Sequence, residues 1–357
     1  MRIGLRTGYG VVCCSTALLL LLGIPALASA GEAQTAFDEA VRHQRAGKYR
    51  EAIAAYTRAI KANPRAAEPY AGRASALART GDTRRAIEDY NEAIKHNPNF
   101  ADAYFNRGNL YHDLKQHGRA IQDYDAALKL NPKLYEAYNN RGLAYYQLGQ
   151  FDRAIRDYTE ALKLRPNFTD GYLNRGHALY VQKQFEGAVR DYDEAIRRSP
   201  KSARAYRERG NARYAMGRYA EAIQDFDEAL KLEPSNAETY YRRGLARRRL
   251  GEYRQAVQDY SAAIRLNPKF SEAYNNRANA YSLMGRFDEA LKDYDSALRL
   301  DPDNARIYAN RGAVKLRQGK TDEAREDFQK AISLEPALKS KLDSLASGQE
   351  TAPRGQH

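Results

Sequence analysis

Apolar and small residues recur along this chain at helical spacing, in pairs of short segments. In residues 135–166, Tyr138, Gly142 and Tyr145 fall on one side of a first helix when successive residues are placed about 100° apart. A second stripe follows at Phe151, Ala154, Ile155, Tyr158, Ala161 and Leu162. Gly149 separates the stripes and Pro166 ends the second, because glycine adopts the left-handed conformation that ends helices and proline removes a backbone donor. The pattern predicts two antiparallel helices.

This helix pair is repeated with a period of 34 residues. The segment YNNRGLAYYQLG at residues 138–149 returns as YNNRANAYSLMG at residues 274–285. Nine prolines keep the same period: Pro64, Pro98, Pro132, Pro166, Pro200, Pro234, Pro268, Pro302 and Pro336. A fixed period of this length is typical of a solenoid, in which each unit buries its apolar face against its neighbours. We therefore expect an all-α array of about nine units over residues 31–336, each ending at one of these prolines.

Small residues occupy fixed places in each unit. Gly142, Ala154 and Ala161 would let the helix axes approach closely, while Tyr138 and Tyr158 fill the remaining space. The same places are held by Gly108, Ala120 and Ala127, by Gly176, Ala188 and Ala195, by Gly244, Ala256 and Ala263, and by Gly312, Ala324 and Ala331.

Eight units carry an arginine in the first helix and an aspartate 16 residues later. Examples are Arg141 with Asp157, Arg175 with Asp191, and Arg277 with Asp293. Because 16 residues separate the middles of two antiparallel helices, we expect one half-buried ion pair per unit. Its predicted role is to fix the register of the helices, since buried charges contribute more to specificity than to stability.

The run aromatic-x2-x-Gly-x2-Tyr, then Ala-x3-aromatic-x2-Ala, then Pro, resembles the tetratricopeptide repeat over residues 31–336. The resemblance implies a right-handed superhelix whose concave groove is lined by the first helix of each unit. It also implies a binding scaffold, and exported relatives of this kind commonly help to assemble the cell envelope. The sequence departs from the family pattern at the second tyrosine, which is replaced in five units by Leu77, Leu179, Arg213, Arg247 and Lys315.

Asparagines recur in the first helices, on the side of the helix that faces away from the packing stripe. Asn140 lies about 200° round the helix from Tyr138, so it is expected to face a ligand. The predicted peptide-binding groove contains Asn106, Asn139, Asn140, Asn174, Asn275, Asn276 and Asn310. One amide can donate to a carbonyl and accept from an N–H, and the family resemblance implies that such amides hold a peptide main chain. The alternative is a solvated polar face that was kept by duplication.

The sixth and seventh units carry many arginines. A predicted patch for an anionic partner contains Arg204, Arg207, Tyr241, Arg242, Arg248 and Arg249. Forked arginine contacts suit carboxylates, phosphates or sulfates, although arginine runs are more often a solvated face. An electrostatic binder of an anionic polymer or membrane surface is therefore the alternative function, and its binding should weaken steeply with salt. No nucleic acid partner is expected. The family resemblance also implies a possible carboxylate clamp, a set of Lys, Asn, Asn, Lys and Arg across three successive units, but no part of this sequence supplies that set.

The N-terminus indicates export. Arg2 and Arg6 precede an apolar run, and Ala28-Ser29-Ala30 offers a cleavage site, so residues 1–30 are predicted to be a secretory signal peptide. The alternative is an uncleaved membrane anchor. Both cysteines, Cys13 and Cys14, lie within this segment, so the chain after cleavage would contain no thiol. A chain without thiols suits an oxidising compartment such as a periplasm. The net charge is +13, and cleavage removes two arginines and no acidic residue, leaving +11. No stable membrane insertion is expected after cleavage.

The C-terminus and the histidines complete the prediction. Residues 337–347, with Leu338, Leu342 and Leu345, are expected to form a capping helix, followed by a disordered tail at 348–357. Such a cap argues against end-to-end stacking, so a monomer is expected. The six histidines form no zinc motif, and no catalytic elbow or phosphate loop is found. We expect a non-enzymatic protein-interaction scaffold that uses no cofactor or metal.

Overall fold

The computed structural model describes residues 24–347, with side chains from residue 30 onward. This part of the chain forms 19 α-helices and one short 3-10 helix, and no β-strand occurs in it. The predicted all-α array of paired helices is confirmed. The described residues form two compact parts, the first ending at Gln182 and the second beginning at Lys183. We call these two parts the first and the second unit, and we call each helix pair a repeat.

The first unit contains nine helices. They are α1 (Ile24–Arg45), α2 (Tyr49–Ala62), α3 (Ala67–Arg79), α4 (Thr83–His96), α5 (Ala101–Asp113), α6 (His117–Leu130), α7 (Tyr135–Gln147), α8 (Phe151–Leu164) and α9 (Thr169–Val181). Odd-numbered helices are the first helix of a repeat, which we call helix A, and even-numbered ones are helix B.

The second unit contains ten helices and the 3-10 turn. They are α10 (Phe185–Arg198), α11 (Ala203–Ala215), α12 (Tyr219–Leu232), α13 (Ala237–Arg249), α14 (Tyr253–Leu266), α15 (Ser271–Leu283), α16 (Phe287–Leu300), α17 (Ala305–Arg317), α18 (Thr321–Leu334), the turn Pro336–Leu338, and α19 (Lys339–Ala346). The same naming applies: α11, α13, α15 and α17 are A helices.

The turns within and between repeats follow from local chemistry. Gly149 has a φ of 73° between α7 and α8, a conformation that glycine adopts without steric cost. Lys115 takes the equivalent place between α5 and α6 with a φ of 59°. After helix B, the side chain of Asn131 accepts a hydrogen bond from the backbone N–H of Lys133 at 3.1 Å, which closes the turn around Pro132.

Aromatic rings pack against the small residues of each repeat, at the places that the sequence predicts. A Cβ built at Gly142 would lie 2.7 Å from Cε1 of Tyr158, so only glycine leaves room for this ring. Tyr158 is fully buried, with Ala154 and Ala161 beside it in the sequence stripe that faces helix A. Close packing between helices A and B therefore rests on small residues that face a large ring.

At the C-terminal end of the second unit, α19 covers apolar surface of α18. Leu342 and Leu345 are buried in one cluster with Ala324, Phe328 and Ala331. The segment predicted to be a cap thus begins with a 3-10 turn and continues as a helix. The tail at 348–357 lies outside the described residues.

The predicted signal peptide falls mostly outside the described residues, which begin at Ile24. Helix α1 starts at that residue and therefore includes the expected cleavage position after Ala30. Among the helices of the described part, none combines the length and the apolar character needed to cross a bilayer. Export and cleavage remain predictions.

Candidate binding surface

Within each unit, the A helices of successive repeats lie side by side. In the first unit α1, α3, α5, α7 and α9 contact one another in turn, and in the second α11, α13, α15 and α17 do so. The positions of Glu136, Asn139, Asn140 and Leu143, together with their equivalents one or more periods away, therefore form a strip on each unit. We call this strip the A-helix face.

Asparagines of the first unit bond to one another across the A helices. Nδ2 of Asn140 donates to Oδ1 of Asn109 at 2.9 Å, and Nδ2 of Asn139 donates to Oδ1 of Asn140 at 3.0 Å. Nδ2 of Asn174 donates to Oδ1 of Asn139 at 3.0 Å. The hydroxyl of Tyr124 adds a bond to Oδ1 of Asn109 at 2.9 Å. Four buried amides thus link α5, α7 and α9.

This arrangement corrects the sequence prediction for three residues. Asn139, Asn140 and Asn174 were expected to face a ligand, yet they are 6%, 6% and 7% exposed. The projection around a single helix was wrong about exposure because it left out the neighbouring A helices, which cover this face. Asn106 lies at an equivalent position and is partly exposed, and its Oδ1 is buried without a hydrogen-bond partner.

The predicted groove asparagines of the second unit are partly exposed. Nδ2 of Asn276 donates to the hydroxyl of Tyr241 at 3.1 Å and to the carbonyl of Glu272 at 2.9 Å. Nδ2 of Asn310 lies 3.4 Å from Oδ1 of Asn275. These amides keep further hydrogen-bonding capacity at a surface that water can reach.

The predicted arginine patch contains carboxylates as well as guanidinium groups. Nε of Arg242 lies 2.6 Å from Glu238, and Nη1 of Arg207 lies 3.3 Å from Glu233. Nε of Arg249 donates to the hydroxyl of Tyr214 at 3.4 Å. The positive charge of this surface is therefore partly neutralised.

The other patch residues lie on A helices. Arg204 on α11 and Tyr241 and Arg248 on α13 are all partly exposed. Burial raises the pKa of Tyr241 to about 12, so its hydroxyl stays protonated at neutral pH and accepts the bond from Asn276.

The expected Arg–Asp ion pairs lie between helices A and B. Arg141 contacts Asp157 through Nε and Nη2, both at 2.7 Å, and Arg277 contacts Asp293 through Nε at 2.7 Å and Nη2 at 2.8 Å. Burial raises the pKa of Asp157, while the hydrogen bonds and charge of Arg141 act in the opposite direction. Arg175 and Asp191 belong to different units, so that pair stays a prediction.

Arginines at this position also bond to the preceding repeat, which sequence analysis missed. Nη1 of Arg141 bonds to Asp125 of the preceding repeat at 2.6 Å, and Nη1 of Arg277 bonds to Ser261 at 2.8 Å. Arg175 likewise donates to Thr159 at 3.1 Å. The sequence contains a sign of this second contact, because a polar residue stands 16 positions before each of the eight repeat arginines. These residues are Thr57, Asn91, Asp125, Thr159, Asp193, Asp227, Ser261 and Asp295.

Family comparisons agree with this geometry. Profiles described as tetratricopeptide repeat match residues 37–83, 71–135, 135–168, 271–304 and 305–338, and one described as TPR repeat matches residues 176–217, 210–251 and 244–285. The chain belongs to the tetratricopeptide repeat family. The matched residues leave only 169–175 uncovered between 37 and 338. No curated protein sequence was found to match the chain.

Two solved structures show the same fold for this tetratricopeptide repeat protein, and a third is similar over a shorter part of it. The C-terminal part of a TPR repeat-containing protein from Cytophaga hutchinsonii is 22% identical, with a TM-score of 0.58 over 66% of this chain and 97% of that one. A tetratricopeptide repeat protein from Parabacteroides merdae is 23% identical, with a TM-score of 0.54 over 69% and 98%. YrrB, described as a TPR protein with an unusual peptide-binding site, is 26% identical, with a TM-score of 0.46 over 54% and 96%.

Proposed function

We propose that this tetratricopeptide repeat protein is a non-enzymatic scaffold that binds an extended segment of a partner protein along the A-helix face. The observation that carries the proposal is the side-by-side arrangement of A helices in each unit. It turns equivalent positions of successive repeats into a strip of amides and other polar groups. The repeats themselves occupy residues 37–338 almost without a gap, which supports a binding role rather than catalysis.

The proposed contacts to the partner differ between the two units. Asn275, Asn276 and Asn310 are partly exposed, so their amides suit the N–H and C=O groups of an extended main chain. In the first unit Asn106 keeps an unpartnered carbonyl oxygen that can accept a hydrogen bond from the partner. Asn139, Asn140 and Asn174 would support the surface from below by fixing the spacing of the A helices.

The experiment places a photo-crosslinking residue, benzoyl-phenylalanine, at Asn276 on helix A or at Gln258 on the exposed side of helix B. The proposal expects a partner segment to be crosslinked from position 276 and not from position 258. The crosslinked segment is then synthesised and its affinity for the chain is measured by calorimetry. Weaker binding by the Asn276→Ala, Asn310→Ala variant supports the proposal, whereas equal crosslinking from both positions or no binding by the synthetic segment contradicts it.

We further propose that the protein is exported to the periplasm or secreted, where it would serve in assembly or organisation of the cell envelope. The support is the basic start, apolar centre and small-residue site of residues 1–30. N-terminal sequencing of protein purified from fractionated cells should give a chain that begins at Gly31. Recovery of the chain with Met1 in the membrane fraction would indicate the uncleaved anchor instead.

A further inference from the structure

The second repeat has unusually small side chains on the A-helix face. Ala71, Gly72 and Ser75 occupy the positions that Asn139, Asn140 and Leu143 hold two repeats later. Because these three side chains fill less space, a pocket opens between α1, α3 and α5 in the first unit.

Aromatic and aliphatic groups form the walls of this pocket. Phe37 and Val41 line it from α1, and Phe100 lines it from the residue that precedes α5. The ring of Tyr56 lies behind Gly72, where a Cβ would come within 2.4 Å of the ring carbon Cζ. Glycine at position 72 is therefore required by the tyrosine, and the pocket keeps an apolar wall.

The amide of Gln44 is already engaged inside the pocket. Its Oε1 accepts a hydrogen bond from the hydroxyl of Tyr56 at 2.7 Å, and its Nε2 donates to Oγ of Ser75 at 3.2 Å. In contrast, Asn106 also lines the pocket, and its buried Oδ1 has no hydrogen-bond partner. A buried acceptor without a donor costs free energy that a ligand can recover by supplying an N–H.

Two carboxylates complete the lining. Glu68 in the first turn of α3 and Asp102 in the first turn of α5 both border the pocket, and none of the described residues that line it is basic. Carboxylates at this position recur as Glu136 and Asp170, where they stabilise the positive N-terminal end of a helix. The pair at 68 and 102 differs from these because an apolar pocket with an unsatisfied acceptor lies beside it.

We propose that this pocket binds a long aliphatic cation, the side chain of a lysine or arginine in the partner segment. The methylene groups would lie between Phe37 and Phe100, and the charged end would donate to Asn106 and to the carboxylates of Glu68 and Asp102. A cationic group offers only donors, which matches a site whose free groups are acceptors. This assignment rests on the proposed scaffold function, since it names one side chain of the segment that the A-helix face would bind.

The probes are small analogues of the side chain: n-butylammonium for lysine, n-butylguanidinium for arginine, and 1-butanol and butyrate as neutral and anionic controls. Ligand-observed NMR at pH 7 measures the affinity of each for the purified chain. We expect one of the two cations to bind at least about tenfold more tightly than 1-butanol, which corresponds to about 1.4 kcal/mol. Butyrate should not bind, and added salt should weaken the binding of the cation.

Matched variants locate the binding. Glu68→Gln with Asp102→Asn removes both charges and keeps the shape, while Glu51→Gln with Asp322→Asn makes the same change at exposed positions of α2 and α18, away from the A-helix face. Binding of the cation should fall about tenfold in the first variant and stay unchanged in the second. Equal loss in both variants, or equal binding of butanol and the cation, overturns the proposal.

The failure of this site and of the scaffold can be told apart. If position 276 crosslinks a segment that binds as a peptide, and butylammonium and butylguanidinium bind no better than butanol, only the cation pocket is wrong. If one of the cations binds as expected but no segment is crosslinked from the A-helix face, the pocket stands and the scaffold proposal is wrong.

Discussion

Arg141 forms a two-pronged contact with Asp157, with Nε to Oδ2 and Nη2 to Oδ1 both at 2.7 Å. The third nitrogen, Nη1, reaches Asp125 of the preceding repeat at 2.6 Å. One guanidinium therefore joins helix A to the helix B of its own repeat and to the helix B before it. The planar fork of arginine suits this double role, which the single ammonium of lysine does not reproduce.

Replacing Arg141 by alanine should destabilise the repeats around α7. Asp157 is buried, so its carboxylate would lose its main counter-charge, and we expect a loss of about 3 kcal/mol in the free energy of unfolding. Urea denaturation and hydrogen exchange of α7 and α8 measure this loss. The double change Arg141→Ala, Asp157→Ala should cost less than the single change, because no buried charge remains unpaired.

The control for this prediction is Arg153→Ala, which removes an exposed guanidinium from α8. It should change stability by less than about 0.5 kcal/mol. Similar losses for Arg141→Ala and Arg153→Ala would show that the paired fork adds nothing to the joint between repeats.

Gly142→Ala should destabilise the fourth repeat by about 2 kcal/mol, since overpacking costs of this size are usual. The new Cβ would lie 2.7 Å from Cε1 of Tyr158, and the buried ring has little space to move. Gly118→Ala in α6 is the matched control, because nothing lies within 4 Å of its added Cβ. That change should stabilise by up to about 1 kcal/mol through the higher helix propensity of alanine. Thermal unfolding that ranked the two variants in the reverse order would contradict the close approach of α7 and α8.

Asn140→Ala and Asn276→Ala should separate structural from binding amides. The first change leaves the buried Nδ2 of Asn139 without its acceptor and should cost about 1 to 2 kcal/mol of stability. The second removes a partly exposed side chain and should cost about 0.5 kcal/mol or less.

Binding should show the opposite order for these two variants. Asn276→Ala should weaken the affinity for the crosslinked segment, while Asn140→Ala, measured well below its unfolding temperature, should not. Calorimetric titration of both variants with the same peptide makes the comparison. If Asn140→Ala alone lost affinity, the buried asparagines of the first unit would be part of the peptide site after all.

The turn between α5 and α6 should be sensitive to acid. The imidazoles of His112 and His117 are edge to face, with ring centroids 4.9 Å apart. Burial, and to a smaller extent the charge of His117, lowers the pKa of His112 to about 4. An unfolded histidine titrates near 6.5, so between pH 6.5 and 4 only the unfolded state gains this proton. Stability therefore falls as the pH falls, by about 2 kcal/mol over this range for a partly accessible group.

The variant that tests this pH dependence is His112→Tyr with His117→Phe, which reproduces the Tyr146 and Phe151 pair of the next repeat. Denaturation curves of the two proteins should nearly coincide at pH 8 and separate as the pH approaches 4, with the variant more stable. Carboxylates contribute equally to both proteins, so they cancel in the difference. A difference that stayed constant across this range would exclude His112 as its source.

The residue pattern of one repeat is enough to predict the packing inside that repeat. The spacing of Tyr138, Gly142 and Tyr158 fixed which sides of helices A and B meet, and the 16 residues from Arg141 to Asp157 fixed their ion pair. These relationships are local, because a short turn leaves two adjacent helices little choice of register. A single repeat therefore contains the information for its own helix pair.

The contacts between neighbouring repeats become visible only in the folded chain. The bond from Arg141 to Asp125, the burial of Asn140 against Asn109, and the pocket beside Gly72 all depend on side chains that come from different repeats. A projection around one helix treats the side away from helix B as open to solvent. In the folded chain the next A helix covers part of that side, because each repeat buries its remaining surface against its neighbours.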